Sequence, residues 1–210
     1  MNTPTHSGQS PHPDVPALQL RGHRFKPLQY EQMTAAQQRL VDKILAGQRG
    51  SMQGPYNVLL RSPELGDLAQ QFGAHTRFHS SVPLHLNELA ILIVARFWRC
   101  DFVWWAHRQI ASDAGLPEHL IEAILTGTAP VSTHQAEQAV YDFCSELSAT
   151  RRVSDASYAA VVLAFGERGA VDLMGTMAYY SLVCMSLNVD QYPLPTGAVA
   201  AFAPPADAAV

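Results

Sequence analysis

The chain has 210 residues, of which 48% are hydrophobic and 15% are charged, and its formal net charge is −4. This length and composition fit one globular domain with a substantial apolar core. Because the balance is acidic and no basic run occurs, nucleic acid and anionic membrane surfaces are not expected as partners.

The two ends of the chain differ in composition from its middle. Residues 1–26 are rich in Pro, Ser, Thr and His and predict a flexible arm, while the Pro/Ala-rich residues 189–210 predict an extended tail. The N-terminus has neither the basic nor the apolar region of a secretory signal, and no uninterrupted apolar stretch is long enough for a membrane span. The spacing of the three cysteines matches neither a disulfide framework nor a zinc site, which indicates a cytoplasmic protein.

Residues 27–188 predict a single compact all-α domain of seven or eight helices. No segment alternates between apolar and polar residues with a period of two over strand length. Helix starts are marked by N-cap residues or prolines, at Thr34, Ser62, Pro83, Pro117, Ser132 and Ser154. Helix ends are marked by Gly47, Gly115 and Gly127. Neither a Gly-rich phosphate loop nor a G-x-S-x-G motif is present, so nucleotide-binding and serine-hydrolase functions lack their main support.

The side chains best suited to chemistry lie between residues 88 and 107. On one helix Cys100, Val103 and His107 share a face. If the chain turns between Arg99 and Phe102, the helix that carries Glu88 packs against the helix that carries His107. A carboxylate beside an imidazole fixes its tautomer and suits it for proton transfer. The alternative is structural, since a histidine on an apolar helix is more often a satisfied core residue.

Two further groups are weaker candidates. His75 and His79 are spaced to share a metal ion, although Thr76 and Arg77 make this stretch resemble a solvated loop. Arg96 is either a contact for a substrate carboxylate or a structural ion-pair partner. Tyr179 and Tyr180 are expected in the core; the alternative is that one of their hydroxyls reaches a pocket.

Three short motifs carry a resemblance to a known family. They are NELAIL at residues 87–92, FVWWAH at 102–107 and ASDAGL at 111–116. Together they resemble the core motif of the carboxymuconolactone decarboxylase family, whose superfamily includes the alkyl hydroperoxide reductase D-type peroxidases. The match covers about residues 60–127. It implies an alkyl hydroperoxide reductase D-like helical fold and a homo-oligomer, a trimer or a multiple of one, with cavities near the subunit interfaces.

The resemblance also implies which residues form the site. Glu88, Cys100 and His107 fall in the register of the peroxidases, with Cys100 at the position of the resolving cysteine. Val103 stands where the peroxidases have their second cysteine and the decarboxylases a glutamate. Cys144 or Cys184 can replace that cysteine only if folding brings one of them alongside Cys100.

These residues lead to three hypotheses for function. The first is a decarboxylase-like enzyme without cofactor or metal, acting on a small aromatic-derived or lactone-type organic acid. In it His107 is the general acid or base and Glu88 orients it, with the substrate contacts assigned to Trp104, Phe102, Val103, Arg96 and His79. Trp105 is expected to pack in the core. The second is a thiol peroxidase that uses Cys100, and the third is a non-enzymatic oligomeric binding protein.

Overall fold

The computed structural model describes residues 18–202, and within them the protein is all-α, with no strand. The remainder of the predicted arm, residues 1–17, and of the tail, residues 203–210, lies outside the described range. The helices are α1 (Ala35–Ala46), α2 (Tyr56–Leu59), α3 (Pro63–Phe78), α4 (Leu84–Trp98), α5 (Asp101–Asp113), α6 (Glu118–Thr126), α7 (Gln135–Thr150) and α8 (Asp155–Asp190). A 3-10 turn at Tyr30–Gln32 precedes α1.

Most of the predicted helix signals occur where the sequence places them. Thr34 and Gln37 form a reciprocal capping box at the start of α1, and Gly47 follows its last residue. Ser154 accepts a hydrogen bond from the Ser157 backbone at the start of α8. The capping box predicted at Ser132 is wrong, because the N-cap of α7 is His134. The Ser132 hydroxyl instead donates to the Glu137 side chain in the first turn of α7.

Helix α3 extends past Gly73 to Phe78, so the loop predicted around residues 75–77 is wrong. Thr76 is buried there, and its hydroxyl donates to the Gly73 carbonyl at 3.1 Å. Gly73 permits a close approach of α8, since a Cβ at this position would overlap the Tyr179 ring and hydroxyl.

Helix α4 forms the centre of the main hydrophobic core. Every residue from Leu86 to Ala95 is buried, and α5, α6, α7 and α8 pack around it. Two of these residues are polar. Asn87 donates from Nδ2 to the Thr76 carbonyl at 3.0 Å and accepts from the Thr176 hydroxyl at 2.7 Å. Asn87 therefore links α4 to both α3 and α8. The second polar residue is Glu88.

Helix α8 combines two helices predicted from the sequence. Gly166 interrupts it with a left-handed φ of 69°, which favours glycine. Within residues 18–202, α8 is the one helix that is long and apolar enough to cross a membrane, judged by length and composition alone. Half of its most apolar window is buried inside the protein, which is also the behaviour of a core helix.

Both ends of the described chain are tied to the helices. Asp190 is fully buried at the end of α8, and its Oδ1 accepts from the backbone N–H groups of His23, Arg24 and Phe25 at 2.8–3.1 Å. Residues 18–26 are therefore held against α8 rather than forming part of a flexible arm. In the tail, Phe202 is buried, and its N–H donates to Asp101 at 2.9 Å.

Asp172 fastens the loop before α4 to α8. Its Oδ2 accepts from the backbone N–H of Ser81 at 2.7 Å and from the Ser81 hydroxyl at 2.6 Å. His75 lies 3.6 Å and Arg168 3.7 Å from the same carboxylate. Burial alone would raise the Asp172 pKa, but hydrogen bonds from Ser81 and His75 and the charge of Arg168 outweigh it and hold the pKa below its ordinary value.

We predict that Asp172→Asn lowers the free energy of unfolding by about 1–3 kcal/mol at pH 7. Because the folded-state pKa is depressed, this stabilisation is complete above the unfolded pKa and is lost as the pH falls through the folded one. The difference between wild type and variant therefore shrinks below about pH 4. Urea unfolding at several pH values measures it, with the exposed Asp113→Asn as control. A difference that is constant down to pH 2 would contradict the assignment.

Candidate active site

A buried carboxylate–imidazole pair lies at the contact of α4 and α5. Glu88 Oε2 is 2.7 Å from His107 Nδ1, and the two residues are only 2% and 7% exposed. A hydrogen bond of this length to an ionised carboxylate fixes the proton of the neutral imidazole on Nδ1. Nε2 forms no hydrogen bond with any of residues 18–202, and the ring faces a cavity.

The turn between α4 and α5 brings these two residues together. Arg99 adopts the left-handed conformation, with a φ of 49°, and the Cys100 N–H donates to the Ala95 carbonyl at 2.9 Å. Helix α5 begins at the next residue and runs back along α4. Residues 19 positions apart in the sequence thereby come into contact. From the sequence, a turn between Arg99 and Phe102 was only a condition for this contact, and the chain turns at Arg99 and Cys100.

The cavity beside His107 has a volume of about 230 Å³. One stripe of α5 supplies much of its wall, at Phe102, Val103, Ala106, His107 and Ile110. These positions follow the helical repeat, so their side chains lie on one side of α5. The opposite walls come from α8 and from the loop between α1 and α2. The site therefore combines an apolar surface with one imidazole nitrogen available to a ligand.

The polar part of the cavity lies opposite α5. It is formed by Arg49, Ser51 and Gln53 of the α1–α2 loop, Arg77 of α3, and Tyr179 and Tyr180 of α8. The Tyr180 ring stands edge-on to the His107 ring, with centroids 4.9 Å apart. Burial raises the Tyr180 pKa well above its ordinary value, and the nearby guanidinium groups only partly oppose this. Tyr180 is therefore a neutral phenol that can donate a hydrogen bond.

Three of the residues assigned to substrate contacts do not line this cavity. Trp104 is 3% exposed and packs against Phe202, with ring centroids 5.5 Å apart. Arg96 donates from Nε to the Ile124 carbonyl at the end of α6. His79 is exposed and ends α3.

Neither of the two adjacent tryptophans lies where the sequence indicated, and neither lines the cavity. Trp104 was expected to face a cavity and Trp105 to pack, but Trp104 is in the core and Trp105 is 42% exposed. Both Trp104 and His107 are buried on α5, but on different sides of its buried stripe. His107 lies on the cavity side, whereas Trp104 lies on the side covered by the C-terminal tail.

The structure brings Cys184 of α8 alongside Cys100, the N-cap residue of α5. A hydrogen bond from the Cys184 thiol lowers the Cys100 pKa, which burial would otherwise raise, and the Val103 backbone N–H contributes in the same direction. Burial raises the Cys184 pKa. Both residues are almost completely buried, at 1% and 0% exposure, and neither lines the cavity.

The candidate metal ligands remain apart. Within residues 18–202 no group of three or more His, Cys, Asp or Glu side chains is arranged to hold a metal ion. The His75 ring instead lies beside the Asp172 carboxylate. The centroids of the His75 and His79 rings are 6.2 Å apart.

Arg49 and Arg77 line the cavity but were not expected there from the sequence. Arg49 lies in an irregular loop, where no helical period places it, and Arg77 was assigned to a solvated loop. No local signal distinguishes either of them from a surface arginine.

Comparisons with known proteins do not assign the site. No protein-family model matches the chain, and a search of curated proteins finds no significant match.

We predict that the neutral imidazole of His107 carries its proton on Nδ1, because Glu88 accepts from that atom. Long-range ¹H–¹⁵N spectra of histidine-labelled protein distinguish the two tautomers. Replacing Glu88 with Ala removes the acceptor and should change the His107 pattern, while the exposed His119 remains unaffected. A proton on Nε2 in the wild-type protein would refute the proposed geometry.

Proposed function

We propose that the protein is a cofactor-independent enzyme of the carboxymuconolactone decarboxylase-like type, with His107 as its general acid or base. The observation that carries this proposal is the 2.7 Å contact between His107 Nδ1 and Glu88, which leaves Nε2 facing the cavity. A purely structural histidine on α5 would have both nitrogens satisfied by protein atoms.

The proposed reaction is the decarboxylation of a small organic acid or a related lyase step. The bond between the carboxylate and the adjacent carbon breaks, CO₂ leaves, and the electron pair moves into a conjugated carbonyl or lactone. His107 then delivers a proton from Nε2 to the resulting carbanion or enolate. Glu88 stabilises the imidazolium whenever Nε2 is protonated, and the Tyr180 hydroxyl is placed to donate to a developing oxyanion.

The low polarity of one cavity wall supports this chemistry. Phe102, Ala106 and Ile110 exclude water from one side of the site, which strengthens electrostatic interactions with the reacting group. Val103, at the position where related decarboxylases have a glutamate, adds to that wall. The acid–base role therefore rests on His107 and Glu88 without a second carboxylate.

The proposal includes the alkyl hydroperoxide reductase D-like fold type, a cytoplasmic location and a homo-oligomer, a trimer or a multiple of one. The order α4, tight turn, α5 and short α6 supports the fold type. Exposed apolar residues on α3, Leu65, Leu68 and Phe72, support assembly. Native mass spectrometry tests the oligomer independently of activity, and a monomer would remove this part of the proposal.

We predict that His107→Ala lowers kcat at least about 100-fold, which is the lower range for loss of a general acid or base. The assay is CO₂ release and solvent deuterium incorporation across a panel of unsaturated lactone acids and 3-oxo acids. Glu88→Gln retains an acceptor for Nδ1 but not its charge, so its loss of kcat should be smaller. The exposed His119→Ala serves as the matched control. Unchanged turnover in His107→Ala would reject the proposal.

A second candidate function, a thiol peroxidase, is favoured by one observation, the proximity of Cys184 to Cys100. The Cys100 thiolate would attack a hydroperoxide, forming a sulfenic acid and releasing an alcohol. Cys184 would then displace water to close a disulfide, which a dithiol reductant would reopen. The burial of both thiols makes this the secondary proposal.

The peroxidase candidate predicts that Cys100→Ser and Cys184→Ser each abolish the consumption of an organic hydroperoxide. It also predicts a Cys100–Cys184 disulfide in non-reducing peptide maps after peroxide treatment. Cys144→Ser is the control, because Cys144 is fully buried and burial raises its pKa. Consumption that is independent of Cys100 would eliminate this function and leave the decarboxylase-like proposal untouched.

A further inference from the structure

The cavity beside His107 carries two guanidinium groups and no carboxylate among its lining residues. Arg49 comes from the loop between α1 and α2, and Arg77 from the last turn of α3. The Glu88 carboxylate does not line the cavity and is bonded to the imidazole of His107. The positive charge on this wall is therefore not balanced by the residues that form the cavity.

The partners of Arg49 and Arg77 differ from those of other arginines in the protein. Arg61 and Arg96 donate to backbone carbonyls, and Arg108 pairs with glutamates. By contrast, Arg77 has no ion pair or hydrogen bond from its side chain within residues 18–202, and its guanidinium lies 5.4 Å from the Phe78 ring. A guanidinium has five N–H donors, so most of this capacity is available to a ligand.

Arg49 is held in position without being neutralised. Its guanidinium lies over the Tyr56 ring at 5.3 Å, and it donates to the Tyr179 hydroxyl at a long 3.5 Å. Tyr56 is fully buried, so the stacked position is supported by the protein interior. Positive charge from both Arg49 and Arg77 reaches Tyr180, the residue in contact with His107. The two cations therefore act on the same space.

We propose that Arg49 and Arg77 form an anion-binding subsite for the carboxylate of a small organic acid, whose apolar body lies along Phe102, Ala106 and Ile110. Planar guanidinium groups match the geometry of a carboxylate and bind it in a bidentate manner. This inference rests on the proposed function in taking the cavity as the substrate site. It replaces Arg96 and His79, which lie elsewhere, as the groups that hold the anion.

The size of the cavity restricts the ligand further. The cavity volume is about 230 Å³. It is below the range of about 300–1,000 Å³ typical of pockets for drug-sized molecules. The site therefore suits an acid of monocyclic size, with one flat apolar face against α5 and a single anionic group at the arginines.

The test is the binding of benzoate and its neutral isostere benzamide, measured by isothermal titration calorimetry on the full-length protein. Wild type should bind benzoate at least about tenfold more tightly than benzamide, because the guanidinium groups interact with the charge. Arg77→Met should lose roughly 10-fold to 100-fold in benzoate affinity and little in benzamide affinity. Arg49→Lys, which keeps the charge but not the fork, should show an intermediate loss.

Two controls separate this subsite from the acid–base chemistry and from a general effect of charge. Arg168→Met makes the same change in net charge at an exposed side chain outside the cavity and should bind benzoate like wild type. His107→Gln removes the proposed acid or base and should retain the preference for benzoate over benzamide. Thermal melts of every variant establish that each is folded.

The outcomes decide between the two proposals. Equal affinity for benzoate and benzamide, no benzoate binding at millimolar concentration, or unchanged binding in Arg77→Met would overturn the anion-binding subsite. None of these results would decide the proposed function, which is tested separately by the effect of His107→Ala on turnover. Selective benzoate binding that depends on Arg77, in a protein whose turnover is indifferent to His107, would retain the subsite and reject the acid–base assignment.

Discussion

The burial of the Glu88 carboxylate is the constraint on which the rest of the architecture depends. It lies within the most buried helix, where an unpaired charge is strongly unfavourable. His107 supplies the partner, and this contact requires α5 to run back along α4 after a two-residue turn. The left-handed Arg99 provides that turn. The same interaction that allows α4 to be buried thus also places an imidazole beside the cavity.

Helix α5 packs in the core with one side and lines the cavity with the neighbouring side. Trp104 packs toward the core and the C-terminal segment, where Asp101 also anchors the tail. Phe102 and Ile110 line the cavity instead. Because α5 is fixed on one side by the tail and along its length by α4, the cavity wall is part of a rigid element. Such an arrangement favours a preorganised site over one assembled by loop movement.

The sequence predicted the helices because caps, prolines and glycines are local signals. The contact between Glu88 and His107 was expected only from the resemblance to the family's register, because spacing alone does not bring two residues 19 positions apart together. The sequence did not predict that Trp104 packs in the core while Trp105 is exposed, since a small rotation of the helix decides this and only tertiary packing sets the angle. The position of Arg49 in the cavity wall was not predicted, because an irregular loop has no period that indicates where a side chain lies. The contact of Cys100 with Cys184 joins distant helices and likewise has no local signal.

The origin of the site residues in the chain has a consequence for how such a protein can change. Glu88 and His107 belong to one contiguous hairpin, α4–α5. Arg49 belongs to a loop outside it, which is joined to the N-terminal segment by the Gln53–Gln19 hydrogen bond and to the tail by the Gly54–Tyr192 hydrogen bond. The proposed acid–base pair and one of the two proposed anion-binding arginines therefore lie in separate stretches of polypeptide. On these proposals, substitutions or insertions in the loop would change the preference for anionic ligands while the Glu88–His107 contact stays in place.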